Sequence, residues 1–271
     1  MADVGGAAFA DLLPVAREAT AIARGIVRKH APRTVAEKGE RDIVTDVDLA
    51  VEDTVRAFLA RETPKTGVLG EEHGRTGGAD GEPWWVLDPV DGTANLACGI
   101  PLCAVSLGLV WERRAVVAAI DLPFLDTAYT ATEGAGAFCD GERIRASGQS
   151  AISHAVVSVG DFAVGEGADA KNRVRLDLLG RLGARVRRIR MLGTAAIDLA
   201  WTAHGKLDAA VILANRPWDT AAGVLLVREA GGAVLDRDGS PHSVDSAATI
   251  AVAPGLRDQL MAEVERAYGA E

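Results

Sequence analysis

Trp85-Val86-Leu87-Asp88-Pro89-Val90-Asp91-Gly92-Thr93-Ala94-Asn95 is the stretch on which the reading of this chain turns. Trp84–Leu87 is a short apolar run of the kind that forms a buried strand, and it stops at Asp88-Pro89. Pro89 fixes its own φ and pushes Asp88 toward an extended conformation. Two carboxylates three residues apart in a tight turn can face one point, and Val90 can add a backbone carbonyl. Gly92 lets the chain approach a ligand closely, and the amides of Gly92 and Thr93 can point at an anion. A hard cation such as Mg²⁺ wants carboxylates, a carbonyl and waters. A plain Asx turn uses the same residue types.

Two further acidic positions lie where elements are expected to end or begin. Gly70-Glu71-Glu72 follows a strand predicted at 67–70, and Asp219 opens a helix at Trp218-Asp219. Taken singly, the first is a solvated acidic loop and the second a helix cap. Together with Asp88 and Asp91 they form a set of carboxylates at element ends, where sites gather in layered α/β folds.

Periodicity places helices at 7–30 and 46–60, the second capped by Thr45 with Asp46 and Asp48 in its first turn. Pro32 and Gly39 mark the loop between them, and Arg75–Pro83 is a polar, glycine-rich loop. Residues 103–111 and 114–121 read as a strand pair, 127–132 as another strand, and Glu133–Ser150 as a loop. The second half alternates: strands at 153–159, 185–190, 207–213, 233–236 and 248–252, with helices near 171–182, after Gly193-Thr194, at Trp218 and at 256–269. Such alternation predicts layered sheets and helices.

The chain has 271 residues, a formal net charge of −9, 48% hydrophobic residues and 30 glycines. That balance fits a globular α/β protein and argues against wrapping nucleic acid, which needs a basic face. Three cysteines, Cys98, Cys103 and Cys139, match no zinc spacing and suggest no disulfide framework. The N-terminal residues lack a basic-then-apolar signal pattern, and no run approaches the roughly 18 apolar residues of a membrane span. A cytoplasmic protein without membrane contact is expected.

The motifs now gathered resemble those of the inositol monophosphatase family. Gly70-Glu71-Glu72, the 85–95 stretch and Trp218-Asp219-Thr220-Ala221-Ala222-Gly223 look like its signatures. Ile43-Val44-Thr45-Asp46-Val47-Asp48 resembles its upstream acidic motif, Gly193-Thr194-Ala195-Ala196 its substrate-side turn, and Glu229-Ala230-Gly231-Gly232 the close of its final helix. The resemblance implies an α-β-α-β-α layered fold spanning 1–271 as one domain. Its 1–145 half would be the metal-binding α+β part and its 146–271 half the α/β part. It further implies a homodimer and a Mg²⁺-dependent, lithium-sensitive phosphatase holding two or three ions. Glu71, Asp88 and the Val90 carbonyl would hold the first ion, and Asp88, Asp91 and Asp219 the second. Glu71 would share a third. Asp48, Thr93 and Glu71 would serve the nucleophilic water, and the amides of Gly92 and Thr93 would hold phosphate oxygens. Asp91, Gly193, Ala195 and Asp219 would line the alcohol side, with Lys38 on a loop over the site and Arg216 at its rim.

One departure bears on substrate. Many family members place a Glu seven residues before the Asp of the Trp-Asp motif, where it contacts inositol hydroxyls. Here that position is Ile212, which accepts no hydrogen bond; Asn215 or Arg216 would have to replace the contact. Inositol 1-phosphate is the first expected substrate. Histidinol phosphate, fructose 1,6-bisphosphate and a 3′-phosphoadenosine nucleotide are alternatives on the same scaffold, and a non-catalytic regulator is the alternative of a different class.

Overall fold

The computed structural model describes residues 9–40, 42–79 and 81–269. A short 3₁₀ turn, Ala10–Leu12, leads into α1 (Leu13–Lys29), whose Pro14 stands in the first turn, where no N–H is missed. The helix expected at 7–30 therefore begins later, and residues 7 and 8 lie outside the described ones. Next come β1 (Val35–Gly39) and β2 (Asp42–Thr45), an antiparallel pair where the sequence suggested only a loop. Every β1 residue is exposed, so no apolar alternation announces the strand. Helix α2 (Asp46–Glu62) follows, capped by Thr45 and Asp48 in a capping box.

Two sheets organise the rest. The first is built from β3 (Gly67–Gly70), β4 (Gly74–Thr76), β5 (Trp84–Asp91), β6 (Ala104–Trp111), β7 (Arg114–Leu122), β8 (Thr127–Thr132), β9 (Gly136–Cys139) and β10 (Glu142–Arg143). Their order is β10-β9-β8-β7-β6-β5-β3-β4, with β3 parallel to β5 and the other pairs antiparallel. A short helix, α3 (Thr93–Ala97), leaves β5 directly. The segment Glu133–Ser150, read as a loop, thus contains β9 and β10, and Arg75–Pro83 starts as part of β4.

The second sheet holds β11 (Val156–Val159), β12 (Arg188–Arg190), β13 (Ala209–Ile212), β14 (Ala233–Leu235) and β15 (Thr249–Val252), in the order β12-β11-β13-β15-β14. Its helices are α4 (Ala168–Gly183), α5 (Ala195–Ala203), α6 (Pro217–Glu229) and α7 (Arg257–Tyr268). Strand β12 is an edge with Arg188 and Arg190 exposed, which is how charged residues blunt an edge.

Three cores show the layering. Helices α1 and α2 cover one face of the first sheet through Ala16, Ala19, Val51, Val55 and Leu59. Helices α5 and α6 fill the space between the sheets through Ile197, Leu199, Val224 and Leu226. Helices α4 and α7 cover the far face of the second sheet through Leu178, Leu182, Leu260 and Val264. The result is the α-β-α-β-α order. A sheet covered on both faces needs no polar face, so β5 sends Trp85 and Leu87 to one core and Val86 to the other. The continuous apolar runs of β6 and β7 have the same cause.

Candidate active site

Strand β5 does not stop at Leu87, as its sequence suggested, but runs to Asp91. Its register with β6 shifts between Asp88 and Asp91, an irregularity that admits Pro89. Asp88 Oδ1 accepts from the Val90 amide at 3.0 Å, which curls the strand end on itself. Gly92 follows with φ +92°, and a Cβ there would lie 2.9 Å from the Leu102 carbonyl oxygen. A side chain has neither the conformation nor the space at this position.

Strand β3 runs parallel to β5, with Gly70 opposite Leu87, so Glu71 emerges beside Asp88. The first turn of α6 brings Asp219 to the same place. One oxygen each from Glu71, Asp88 and Asp219 lies within 4.8 Å of the others. The three residues are far apart in sequence and meet only because β3, β5 and α6 do.

Asp91 stands beside this group with one oxygen committed. Its Oδ2 accepts from Thr194 Oγ1 at 2.5 Å and from the Ala196 amide at 2.6 Å, which ties the end of β5 to the start of α5. Burial pushes the Asp91 carboxyl up to about 6, against the pull of those hydrogen bonds. Asp88 and Asp219 are driven well above the ordinary carboxylate range, first by burial and then by the neighbouring carboxylates.

Asp48 and Thr93 form the adjoining wall. Thr93 Oγ1 lies 2.9 Å from Asp48 Oδ1 and 3.0 Å from the Val90 carbonyl oxygen. Asp48 Oδ2 accepts from the Thr45 amide at 3.0 Å and from the Thr45 hydroxyl. Burial raises the Asp48 carboxyl, and these hydrogen bonds hold it back. Lys38, on β1, reaches Glu71 Oε1 at 2.9 Å and Glu72 Oε1 at 2.8 Å. Burial would lower its pKa, but the two carboxylates hold it above the usual lysine range.

A cavity of about 600 Å³ opens from Asp91 and Asp219 toward α4 and α7. Gly193, Thr194, Ala195, Ile212, Arg216 and Phe162 line it. Ile212 is 8% exposed, and a Cβ built at Gly160 would come within 3.6 Å of its Cα, so it forms an apolar wall. Arg216 stands exposed at the head of α6, its guanidinium 6.0 Å from the Trp218 ring centroid. Asn215 is not available to a substrate: its amide donates to the Val244 and Ser246 carbonyls, and its oxygen accepts from Thr220 and Thr249.

The sequence model described as the inositol monophosphatase family matches residues 9–268. The chain belongs to the inositol monophosphatase family. As a member it is a phosphoric monoester hydrolase, of a family that is generally metal-dependent. Inositol-1-monophosphatase ImpA of Mycolicibacterium smegmatis is 36% identical over 248 residues, covering 90% of this chain and 87% of that protein. The probable inositol 1-monophosphatase ImpA of Mycobacterium tuberculosis is 37% identical over 254 residues, covering 92% and 93%. Among solved structures, extragenic suppressor protein suhB from Bartonella henselae superposes with a TM-score of 0.89 at 32% identity, covering 95% of this chain and 99% of that one. The IMPase of Thermotoga maritima gives a TM-score of 0.87 at 29% identity, covering 96% and 99%.

Sequence reasoning passed over some residues in and around this candidate site of the inositol monophosphatase family member. The sequence places Thr194 in a turn just before a helix and gives its side chain no role; here it both caps α5 and binds Asp91. The His73 ring nitrogen Nδ1 lies 3.2 Å from Glu52 Oε1, on a helix 21 residues earlier. Nothing in the sequence singled out Glu52 or Phe162. Among the described residues, no helix is long and apolar enough to cross a membrane.

Proposed function

We propose that this chain hydrolyses a small phosphomonoester, inositol 1-phosphate first, to the alcohol and inorganic phosphate in a Mg²⁺-dependent reaction. The observation that carries this is the convergence of Glu71, Asp88 and Asp219, whose carboxylate oxygens lie within 4.8 Å of one another. Burial, and then the repulsion of carboxylates so close together, drives the Asp88 and Asp219 carboxyls well above their ordinary range. A divalent cation relieves both penalties, and an all-oxygen donor set suits a hard ion. Glu71, Asp88, Asp91, Asp219 and the Val90 carbonyl are the groups that would hold two or three such ions. Bound there, they would neutralise phosphate charge, lower the pKa of water and stabilise the leaving oxygen.

The chain's own groups supply position and proton handling. A phosphate monoester dianion repels its attacker, and its alkoxide leaves poorly, so alignment matters more than a covalent nucleophile. Thr93 Oγ1, directed by its hydrogen bond to Asp48 at 2.9 Å, keeps lone pairs to accept a hydrogen from the attacking water. Asp48 holds that hydroxyl in place, and Glu71 assists in drawing off the water's proton. The amides of Gly92 and Thr93 donate to phosphate oxygens. Asp91, Gly193, Ala195 and Asp219 receive the alcohol at the mouth of the cavity, with Arg216 at its rim. A homodimer, lithium sensitivity, a cytoplasmic setting and one domain with halves at 1–145 and 146–271 belong to the same reading, on the strength of family membership.

Ile212 favours keeping other monoesters in view, since an apolar wall gives no specific welcome to a polyol. The test is phosphate release from inositol 1-phosphate, histidinol phosphate, fructose 1,6-bisphosphate and a 3′-phosphoadenosine nucleotide at one Mg²⁺ concentration, with and without chelator. Chelator-sensitive release with inositol 1-phosphate several-fold preferred is expected. Preference for another ester reassigns the substrate. No chelator-sensitive release from any ester replaces the enzyme with a regulator.

A further inference from the structure

Glu52 is 0% exposed and lies on α2, one turn beyond Asp48. It is not one of the three grouped carboxylates. Burying a carboxylate is costly unless its lone pairs are satisfied, and Glu52's are. Its Oε2 accepts from the Glu72 amide at 2.9 Å. Its Oε1 accepts from the His73 amide at 3.0 Å and from Arg56 Nε at 2.8 Å. Both amides belong to the turn that carries Glu71. Gly70, at the head of that turn, leaves the carboxylate its room: a Cβ there would fall 2.2 Å from Glu52 Oε1. Arg56, one turn further along α2, grips the far side of the hairpin through Thr76 Oγ1 at 2.8 Å and the Gly74 carbonyl.

We propose that Glu52 is a positioning residue for the metal site, clamping the Glu72 and His73 amides so that Glu71 meets Asp88 and Asp219. This rests on the reading of Glu71 as a metal ligand. Asp48 and Glu52 stand four residues apart and so share one face of α2. One helix thereby sets both the wall that orients the water, through Thr93, and the turn that delivers Glu71. A carboxylate suits the task because it offers acceptors on both oxygens. Glutamine offers one acceptor and turns an N–H₂ toward an N–H donor. Lys38 grips the same turn by its side chains Glu71 and Glu72, while Glu52 fixes the backbone beneath them.

The experiment is calorimetric titration of the metal-stripped full chain with Mg²⁺ alone, for wild type, Glu52→Gln, Arg56→Met and Glu71→Gln, with thermal melts of each. Outer-sphere partners of ligands are worth roughly ten-fold or more in affinity, and Glu52→Gln is expected to weaken Mg²⁺ by at least about that factor. Arg56→Met removes the ion pair but leaves both clamped amides, so it should lower Tm without that weakening. Should Glu52→Gln not fold, Glu52→Asp keeps the charge on a shorter arm and is expected to weaken Mg²⁺ as well. Wild-type Mg²⁺ affinity in both Glu52 variants, with binding lost in Glu71→Gln, overturns the positioning role and leaves the metal site standing. Equal weakening in Glu52→Gln and Arg56→Met also overturns it, since Glu52 then acts only through stability. Wild-type affinity in Glu71→Gln instead brings down the metal reading on which the inference rests.

Discussion

Thr93 Oγ1 and Asp48 Oδ1 are 2.9 Å apart, a bond that joins the first residue of α3 to the first turn of α2 across 45 positions of sequence. If this pair aligns the attacking water, Thr93→Val should keep the fold and lose the reaction. Positioned acid–base groups contribute about 100-fold or more, and kcat is expected to fall by about that factor with little change in Mg²⁺ affinity. Thr93→Ser, which keeps the hydroxyl, should recover most of it. Steady-state kinetics at saturating Mg²⁺ decides the matter. A Thr93→Val enzyme near wild-type kcat removes Thr93 from the chemistry.

The acidic group gives a linked dependence on pH and metal. Without metal, burial and mutual repulsion keep Asp88, Asp91 and Asp219 protonated above their ordinary value of 3.8, Asp91 to about 6. The native state therefore binds more protons than the unfolded chain in that interval. The contribution of Asp91 to stability is whole below pH 4 or so and declines as pH rises through about 6. If Mg²⁺ binds these carboxylates as proposed, it would replace the protons, and the rise in Tm on adding it should grow from pH 5 to pH 7.5. Melting curves at several pH values, with and without Mg²⁺, provide the check. A Tm increment independent of pH contradicts it.

Thr194 tunes one member of that group. Its hydroxyl lies 2.5 Å from Asp91 Oδ2 and holds the carboxyl below what burial alone would impose. Thr194→Val removes that hydrogen bond, so the Asp91 carboxyl rises further. The acid limb of kcat/KM should move to higher pH. The lost cap should also cost α5 about 1 kcal/mol. A pH–rate profile separates the two effects, because lost stability alone leaves the acid limb where it was.

Much of this was legible in the sequence, for physical reasons that vary by element. Strands β3 and β8 fell at the bounds their apolar runs suggested, 67–70 and 127–132. The pair β1–β2 stayed hidden because no β1 residue is buried, and β9–β10 because both strands are very short and stand among Gly134, Gly136 and Gly141. Pro89 made β5 appear to end early, since a proline inside a strand normally argues against one. At the site, the carboxylates announced themselves through local motifs. Glu52 did not, because its meaning depends on contacts with amides 20 and 21 residues away.

Ile212 supplies a test of substrate choice. Ile212→Glu places a hydrogen-bond acceptor on the cavity wall, beside Gly160. It is expected to lower KM for inositol 1-phosphate relative to the other esters, at unchanged Mg²⁺ affinity. Burying a polar group costs roughly 1–3 kcal/mol, so a lower Tm should accompany the gain. Comparison of kcat/KM across the ester panel is the measurement. An unaltered order of preference shows that position 212 does not choose the substrate.

Much of the cavity's lining comes from stretches that carry none of the grouped carboxylates: the 160–164 segment, α4, the turn at 193–195 and the end of β13. Selection can therefore redraw what the enzyme accepts while leaving how it cuts untouched. One ancestral hydrolytic centre could in this way be handed from ester to ester, each lineage repainting a single wall.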